Sequence, residues 1–241
     1  MMEKSFNERF QEFDENYQAI KERIAKAAYR SGRSHEEITL LAATKTVPVE
    51  IINYAVSQGL THLGENRVQE LLDKYSALDK EHCDLQMIGQ LQTNKVKYIV
   101  DKVSCVQSLD SVRLAKEISR LCEKEGRVMN VLVEVNIGRE ASKGGVVPEG
   151  LTEFIDEIRL LRGIHINGLM AIPPICSDKK ILCRYFSAMR QYYVDIKAKS
   201  MDNVDMICLS MGMSSDFPEA IENGATMVRV GSSLFGARAY H

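Results

Sequence analysis

The chain has 241 residues, 45% of them hydrophobic and 27% charged, and its formal net charge at pH 7 is −2. This balance is typical of a globular protein, and the lack of a basic excess argues against a nucleic-acid partner. The six cysteines form no C-x-x-C pair, so neither a zinc site nor a thioredoxin-like motif is indicated. No apolar signal region or membrane-spanning segment is visible, so we expect a cytoplasmic protein with reduced thiols and no membrane partner.

A long amphipathic helix is predicted for residues 5 to 28, and Ser31-Gly32 is predicted to end it. Its apolar residues recur every three or four positions: Phe6, Phe10, Phe13, Tyr17, Ile20, Ile24 and Ala27. Such a stripe is compatible with a coiled-coil seam, but packing on the domain's own core is the simpler interpretation. We therefore expect residues 1–34 to pack on a single domain formed by residues 35–241.

After residue 35 one pattern recurs, in which a short apolar run is followed by a turn and a helical segment. The predicted strands cover residues 38–44, 61–63, 85–88, 104–109, 128–135, 164–172, 206–211 and 226–230. Asp110 is predicted to cap the helix after the fourth strand. Eight such units predict a single α/β domain, a (β/α)8 TIM barrel with an extra N-terminal helix. Because the second strand is short, a seven-stranded doubly wound sheet is the alternative.

Lys45 directly follows the apolar run Leu40 to Thr44, where a parallel barrel builds its functional site. A partly buried lysine has a lowered pKa and can form a Schiff base with an aldehyde. The simpler alternative is a lysine that leaves the strand end for solvent.

Small polar residues follow the last two predicted strands, and barrels often hold phosphate there on backbone N–H groups. They include Ser210 and Gly212 after the seventh strand, and Gly231 and Ser232 after the eighth. Arg229 shares one face of the eighth strand with Gly231, and an inward guanidinium there would need an acceptor such as a carboxylate or a pyridine nitrogen. A Schiff-base lysine, a phosphate site and this arginine together match pyridoxal 5′-phosphate. A class I aldolase would use the first two but gives the arginine no role.

Other polar residues are less informative. The five histidines share no ligand spacing, so no metal site is indicated. Glu65 is interpreted as a carboxylate at a helix start, although a catalytic role is the alternative. Glu134 lies within a predicted strand and needs a partner, for which Lys143 and Arg139 are the candidates. Met170 is interpreted as a packing residue that could also meet the face of a cofactor ring.

Collinear motifs over nearly the whole chain resemble the pyridoxal-phosphate homeostasis protein family. Two of them are highly specific together, Gly64-Glu65-Asn66 and the segment from Ser210 to Asp216. The other matching segments are Ala43–Pro48, Ile88–Lys95, Val135–Ile137 with Lys143 and Gly145, Gly168–Ile172, and Arg229–Gly236. The sequence departs from the family's frequent pattern at Thr44, where serine is common, and at Gln86, where histidine is common.

The resemblance implies a fold-type III barrel like the N-terminal domain of alanine racemase, with the aldehyde of pyridoxal phosphate on Lys45. It implies a phosphate near Gly231, Ser232 and Ser210, and a ring nitrogen near Arg229. Asn66 would line the ring face or the side of the 3′-oxygen.

The resemblance also implies a role in keeping free pyridoxal phosphate low and supporting its delivery. Fold-type III enzymes carry a second domain that supplies catalytic groups, and the chain ends soon after Gly236 without one. We therefore expect a cofactor-holding protein rather than an enzyme, a monomer whose partners are the cofactor and, as a hypothesis, cofactor-dependent apo-enzymes. The alternatives are a slow amino-acid racemase or transaminase-like enzyme on the same lysine, and a regulatory scaffold that uses the N-terminal helix.

Overall fold

A computed structural model describes residues 5–236, and in it eight parallel strands close into one barrel. Consecutive strands are hydrogen-bonded neighbours, and the last strand pairs with the first through Leu41 and Arg229. The predicted barrel is thus confirmed, and the alternative of an open seven-stranded sheet is wrong. The strands are β1 (Thr39–Ala43), β2 (His62–Glu65), β3 (Asp84–Met87), β4 (Cys105–Leu109), β5 (Met129–Glu134), β6 (Ile164–Met170), β7 (Val204–Ser210) and β8 (Met227–Val230).

Helices surround the barrel and cover the outer faces of its strands. They are α1 (Phe6–Arg30), α2 (Val49–Ser57), α3 (Val68–Tyr75), α4 (Val112–Lys124), α5 (Leu151–Ile158), α6 (Lys179–Ala198), α7 (Phe217–Glu222) and α8 (Ser232–Phe235). The segment after β3 is not the expected α-helix but the 3-10 helix Thr93–Tyr98, whose buried Val96 precedes buried Ile99 by the three-residue repeat of that helix. Among the described helices, none is both long and apolar enough to cross a membrane.

The N-terminal helix α1 lies against α7 and α8, next to the seam where β8 meets β1. A capping box between Ser5 and Glu8 starts it, and Ser31 ends it as predicted. Phe13 is buried and stacks on Phe235 with ring centroids 5.8 Å apart. Apart from the exposed Phe6, the apolar stripe therefore packs on the domain's own core, as favoured from the sequence.

Helix α4 begins differently from the sequence-based prediction. Its N-cap is Ser111, whose hydroxyl accepts a hydrogen bond from the Leu114 N–H, and not Asp110. The reason is backbone conformation, because Ser111 has the extended φ and ψ of an N-cap, −151° and 146°. Asp110 lies one residue earlier and directly follows β4, so its carboxylate is left near the C-terminal ends of the strands.

Candidate functional site

The C-terminal ends of the strands form a closed ring, so residues that are distant in sequence meet there. Thr44 N–H donates to the Gly64 carbonyl across β1 and β2, and Ala171 N–H donates to the Ser210 carbonyl across β6 and β7. The predicted site residues all lie on this ring or next to it: Lys45, Asn66, Met170, Ser210, Arg229, Gly231 and Ser232.

Lys45 is half-buried and follows β1 by two residues. The next residue, Thr46, has a φ of +62°, a left-handed conformation that is uncommon for a β-branched residue. Glu70 holds this turn, because its carboxylate accepts a hydrogen bond of 2.9 Å from the Thr46 N–H. The chain thus bends sharply just after Lys45, and the bend fixes where the lysine side chain leaves the backbone.

A buried ion pair supports the same strand end. Lys74 of α3 donates to Glu65 Oε1 at 2.7 Å and to the Thr44 carbonyl at 2.8 Å. The Thr44 hydroxyl also donates to Glu65 Oε1, at 2.7 Å. Glu65 is 2% exposed and ends β2, so the interpretation of a carboxylate at a helix start is wrong. Instead Glu65 joins the strand ends that carry Lys45 and Asn66.

Asn66 has an unusual environment. Its Oδ1 atom is buried and has no hydrogen-bond partner among the described residues. Gly89 packs directly on its backbone, since a Cβ on Gly89 would lie 2.1 Å from the Asn66 carbonyl oxygen. An unpaired buried amide oxygen costs free energy, so a ligand that donates a hydrogen bond would be favoured here.

Arg229 is buried in the barrel mouth. It donates to the Ser210 carbonyl at 2.9 Å, to the Ser210 hydroxyl at 2.6 Å and to the Ala171 carbonyl at 3.1 Å. Burial lowers the pKa of the guanidinium to about 10, and nearby acidic groups, Glu134 first, oppose the shift. The side chain stays a cation near neutral pH, with N–H groups left over that have no partner within residues 5–236.

Among the acidic groups around Arg229, Glu134 does most to raise the pKa of the guanidinium. Burial raises the pKa of Glu134 itself, the charge of Asp110 adds to the rise, and Arg229 opposes it. The two partners expected from the sequence are engaged elsewhere, because Lys143 pairs with Glu140 and Arg139 pairs with Glu149. That expectation is therefore wrong, and the loop after β5 folds its cations back onto its own carboxylates.

The loop after β8 passes close to β1. A Cβ on Gly231 would lie 2.9 Å from the Ala43 carbonyl oxygen, so glycine permits this approach. The N–H groups of Gly231 and Ser233 both donate to the hydroxyl oxygen of Ser214, at 3.4 and 3.3 Å. Ser232 is exposed. Backbone N–H groups and hydroxyls such as these can bind an anion, and they lie beside the strand end that carries Lys45.

Met170 and Ser210 lie deeper than the other predicted residues. Met170 is buried in a cluster with Cys105 and Leu132. The Ser210 hydroxyl accepts from Arg229 and donates to Gln107 Oε1 at 2.7 Å. Both side chains lie in the barrel interior, below the C-terminal ends of the strands, and their contact with a cofactor stays a prediction.

Sequence reasoning missed Lys74 at the ends of β1 and β2, and Gln86 and Gln107 in the barrel interior. Lys74 has a signal in retrospect, since it follows buried Leu71 by three positions on α3 and so shares its buried face. Gln86 and Gln107 are polar residues within apolar strands, which indicates a partner inside the barrel.

The chain is similar to known proteins over most of its length. The family model described as "Alanine racemase, N-terminal domain" matches residues 11–239. A protein of Aquifex aeolicus named "Pyridoxal phosphate homeostasis protein" is 45% identical over 226 residues, which is 94% of this chain and 98% of that protein. The chain belongs to the pyridoxal phosphate homeostasis protein family. A family member from Escherichia coli is 36% identical over 93% of this chain and 96% of its own length.

Solved structures agree with the family membership. PipY of Synechococcus elongatus, whose solved structure has pyridoxal phosphate bound, is 31% identical with a TM-score of 0.78, over 90% of this chain and all of that chain. A protein from Bifidobacterium adolescentis described as unknown is 34% identical with a TM-score of 0.91, over 97% of this chain and 98% of that chain. Alanine racemase of Clostridium difficile shares the fold at 14% identity and a TM-score of 0.73, over 95% of this chain and 58% of its own.

Proposed function

We propose that this protein binds pyridoxal 5′-phosphate as a Schiff base on Lys45 and serves intracellular homeostasis and delivery of that cofactor. The observation that carries the proposal is the meeting of Lys45, Arg229 and the Gly231 loop on one ring of strand ends, in a member of a family named for this cofactor. PipY, a relative of similar length, has the cofactor in its structure.

The fit of the cofactor can be tested against groups that lack partners. Asn66 Oδ1 is buried without a hydrogen bond, and Arg229 has N–H groups to spare among the described contacts. A ligand with an acceptor nitrogen and hydroxyl groups would satisfy both. The Gly231 and Ser233 N–H groups donate long hydrogen bonds to the Ser214 hydroxyl, at 3.4 and 3.3 Å, and a phosphate could take the place of that hydroxyl as their acceptor. These features fit pyridoxal phosphate.

Each residue then has a role that its chemistry supports. Lys45 would hold the cofactor at its aldehyde carbon, with the aldehyde oxygen lost as water, and Asn66 would line the ring face or the side of the 3′-oxygen. Gly231, Ser232 and Ser210 would lie near the phosphate. When bound, pyridoxal phosphate supplies an aldehyde for capture and, in enzymes, a ring that accepts electrons. The permanent charge of Arg229 near the ring nitrogen disfavours protonation of that nitrogen, which makes the ring a weak electron acceptor.

A weak electron acceptor is adequate for holding the cofactor, and we propose that the protein is not an enzyme. Family members are named homeostasis proteins, which supports the same conclusion. We propose further that the protein acts in the cytoplasm as a monomer, without nucleic-acid or membrane partners, and that it passes the cofactor to apo-enzymes.

The experiment uses full-length protein and follows transfer and turnover together. Protein loaded with pyridoxal phosphate is mixed with a pyridoxal-phosphate-dependent apo-enzyme, and recovery of that enzyme's activity is compared with an equal amount of free cofactor. Racemisation and decarboxylation of D- and L-amino acids are measured on the loaded protein alone. Activation of the apo-enzyme with no amino-acid turnover supports the proposal. Sustained turnover by the protein, abolished in Lys45→Ala, would instead establish an enzyme.

A further inference from the structure

A continuous chain of side-chain hydrogen bonds runs through the interior of the barrel from Arg229 to Asp84. Arg229 donates to Ser210 Oγ at 2.6 Å, and Ser210 Oγ donates to Gln107 Oε1 at 2.7 Å. Gln107 Nε2 donates to Gln86 Oε1 at 2.6 Å, and Gln86 Nε2 donates to Asp84 Oδ2 at 2.6 Å. We call these five residues the Arg229–Asp84 chain.

The chain connects opposite ends of the barrel. Arg229 and Ser210 lie at the C-terminal ends of β8 and β7, where the proposed cofactor site is. Asp84 is the first residue of β3, so it lies at the opposite end, and its carboxylate is 3.9 Å from His62 Nε2. The four residues from Arg229 to Gln86 are all at most 5% exposed. Water therefore competes little with these hydrogen bonds, and each group depends on its neighbour in the chain.

The two ends fix the direction of every bond between them. A guanidinium can only donate, and a carboxylate can only accept. Because Ser210 accepts from Arg229, its single hydroxyl proton goes to Gln107, which must present its amide oxygen. Gln107 then presents its NH2 group to Gln86, and Gln86 presents its own NH2 group to Asp84. Only one orientation of the two amides satisfies both ends.

We propose that Asp84, Gln86 and Gln107 are positioning residues for Arg229, and that Asp84 holds the guanidinium in place by fixing the polarity of the chain. This inference rests on the proposed function, because the guanidinium is the group assigned to the cofactor's ring nitrogen. Without an acceptor at position 84, both amides can rotate and the Ser210 hydroxyl is no longer held toward Arg229. Gln107 Nε2 also donates to Met227 Sδ at 3.1 Å, and this weak acceptor favours the same amide orientation.

This polarity explains why position 86 can hold glutamine, where the family pattern frequently has histidine. A glutamine amide offers an acceptor to Gln107 and a donor to Asp84. A neutral imidazole offers the same pair, one nitrogen of each kind, so histidine could carry the same polarity. A leucine of similar size could not.

The test compares five variants of the full-length protein. Asp84→Leu and Gln86→Leu interrupt the chain, whereas Asp84→Asn and Gln86→His keep the donors and acceptors it needs. Asp205→Leu is the matched control, because Asp205 is also a carboxylate near the N-terminal end of a strand and also pairs with a histidine, His165 Nε2, at 2.9 Å.

The first measurement needs no cofactor. Nuclear magnetic resonance of ¹⁵N-labelled protein detects the side-chain amide of Gln107 and the Nε–H of Arg229. We expect both signals to move in Asp84→Leu and Gln86→Leu, and to stay near their wild-type positions in the conservative variants and in Asp205→Leu. Unchanged signals in both leucine variants, or equal shifts in Asp205→Leu, would overturn the inference whatever the protein binds. If Asp84→Leu does not fold, the contrast between Gln86→Leu and Gln86→His decides.

The second measurement is a titration with pyridoxal phosphate followed by absorbance. We expect the leucine variants to bind about five- to tenfold more weakly, as for the loss of one hydrogen bond between uncharged groups, and to show a shifted visible band. Asp84→Asn and Gln86→His should restore both affinity and band position. If wild-type protein binds no pyridoxal phosphate, the proposed function fails, and the magnetic resonance result still decides whether the chain positions Arg229. If wild type binds and the leucine variants match it, only the inference fails.

Discussion

Lys74 and Glu65 form a buried ion pair of 2.7 Å, and the same ammonium donates to the carbonyl of Thr44, the residue before Lys45. One side chain of α3 therefore ties together the ends of β1 and β2. Their side chains are only 16% and 3% exposed, so neither charge can be rehydrated without moving the strand ends.

Replacement of Lys74 by methionine should lower the free energy of unfolding by about 3 kcal/mol, because a buried carboxylate is left without its cation. The double variant Lys74→Met/Glu65→Leu should recover more than half of this loss, since both charges are then gone. Urea unfolding measures both. A single variant within about 0.5 kcal/mol of wild type would show that water already solvates Glu65.

Substitution at Gly89 tests the packing around Asn66. A Cβ there would lie 2.1 Å from the Asn66 carbonyl oxygen and 2.7 Å from its Cα, both of them backbone atoms. Gly89→Ala should therefore displace Asn66 and weaken binding of pyridoxal phosphate about tenfold or more, as measured by titration. Gly150→Ala is the control, because the nearest atom to its added Cβ is 4.0 Å away. Equal affinity of the two variants would mean that Asn66 does not contact the cofactor.

The barrel itself could be predicted from sequence because its signal is local. A parallel strand buried on both faces is a short apolar run, and each one is followed by its own turn and helix. Residues such as Val131 and Val133 therefore mark a strand without knowledge of any partner. The position of Lys45 at a strand end follows from the same pattern.

Long-range pairing could not be predicted in this way. Glu65 has a local helix-start explanation that is physically reasonable, yet its partner lies on the buried face of α3. The sequence suggests a partner for Glu134 in the adjacent loop, whereas the cation that acts on it, Arg229, is on β8. Both cases depend on how the strands close into a ring, which composition and spacing do not specify.

Glu134 should make stability depend on pH. Burial raises its pKa above the ordinary value of 4.5, so the folded protein binds a proton more readily than the unfolded chain. Ionisation of Glu134 then costs stability above the folded pKa, and this cost disappears as pH falls below about 4.5. Glu134→Gln should therefore be more stable than wild type at about pH 7, with a difference that shrinks toward about pH 4.

Thermal unfolding across this range, with Glu153→Gln of the exposed face of α5 as control, measures the effect of Glu134. A loss of stability at neutral pH in Glu134→Gln would mean that attraction to Arg229 outweighs the burial of the carboxylate.

The helix α1 should unfold together with the barrel. Phe13 is 1% exposed and contacts Phe235, whereas Phe6 on the same helix is 51% exposed. Phe13→Ala should lower the free energy of unfolding by about 3 to 5 kcal/mol, and Phe6→Ala by less than about 1 kcal/mol. Calorimetry should give one transition for each variant. A separate transition at low temperature in Phe13→Ala would show that residues 1–34 and 35–241 unfold independently.

The central claim is that Lys45 holds the cofactor covalently, and one measurement tests it most directly. Wild type, Lys45→Ala and the control Lys116→Ala, an exposed lysine of α4, are each mixed with pyridoxal phosphate, reduced with borohydride and digested. Mass spectrometry then locates the reduced adduct. We expect a stoichiometric adduct on Lys45 in wild type and Lys116→Ala, with a visible absorption band before reduction that Lys45→Ala lacks. An adduct spread over surface lysines, or a band that persists unchanged in Lys45→Ala, would contradict the account.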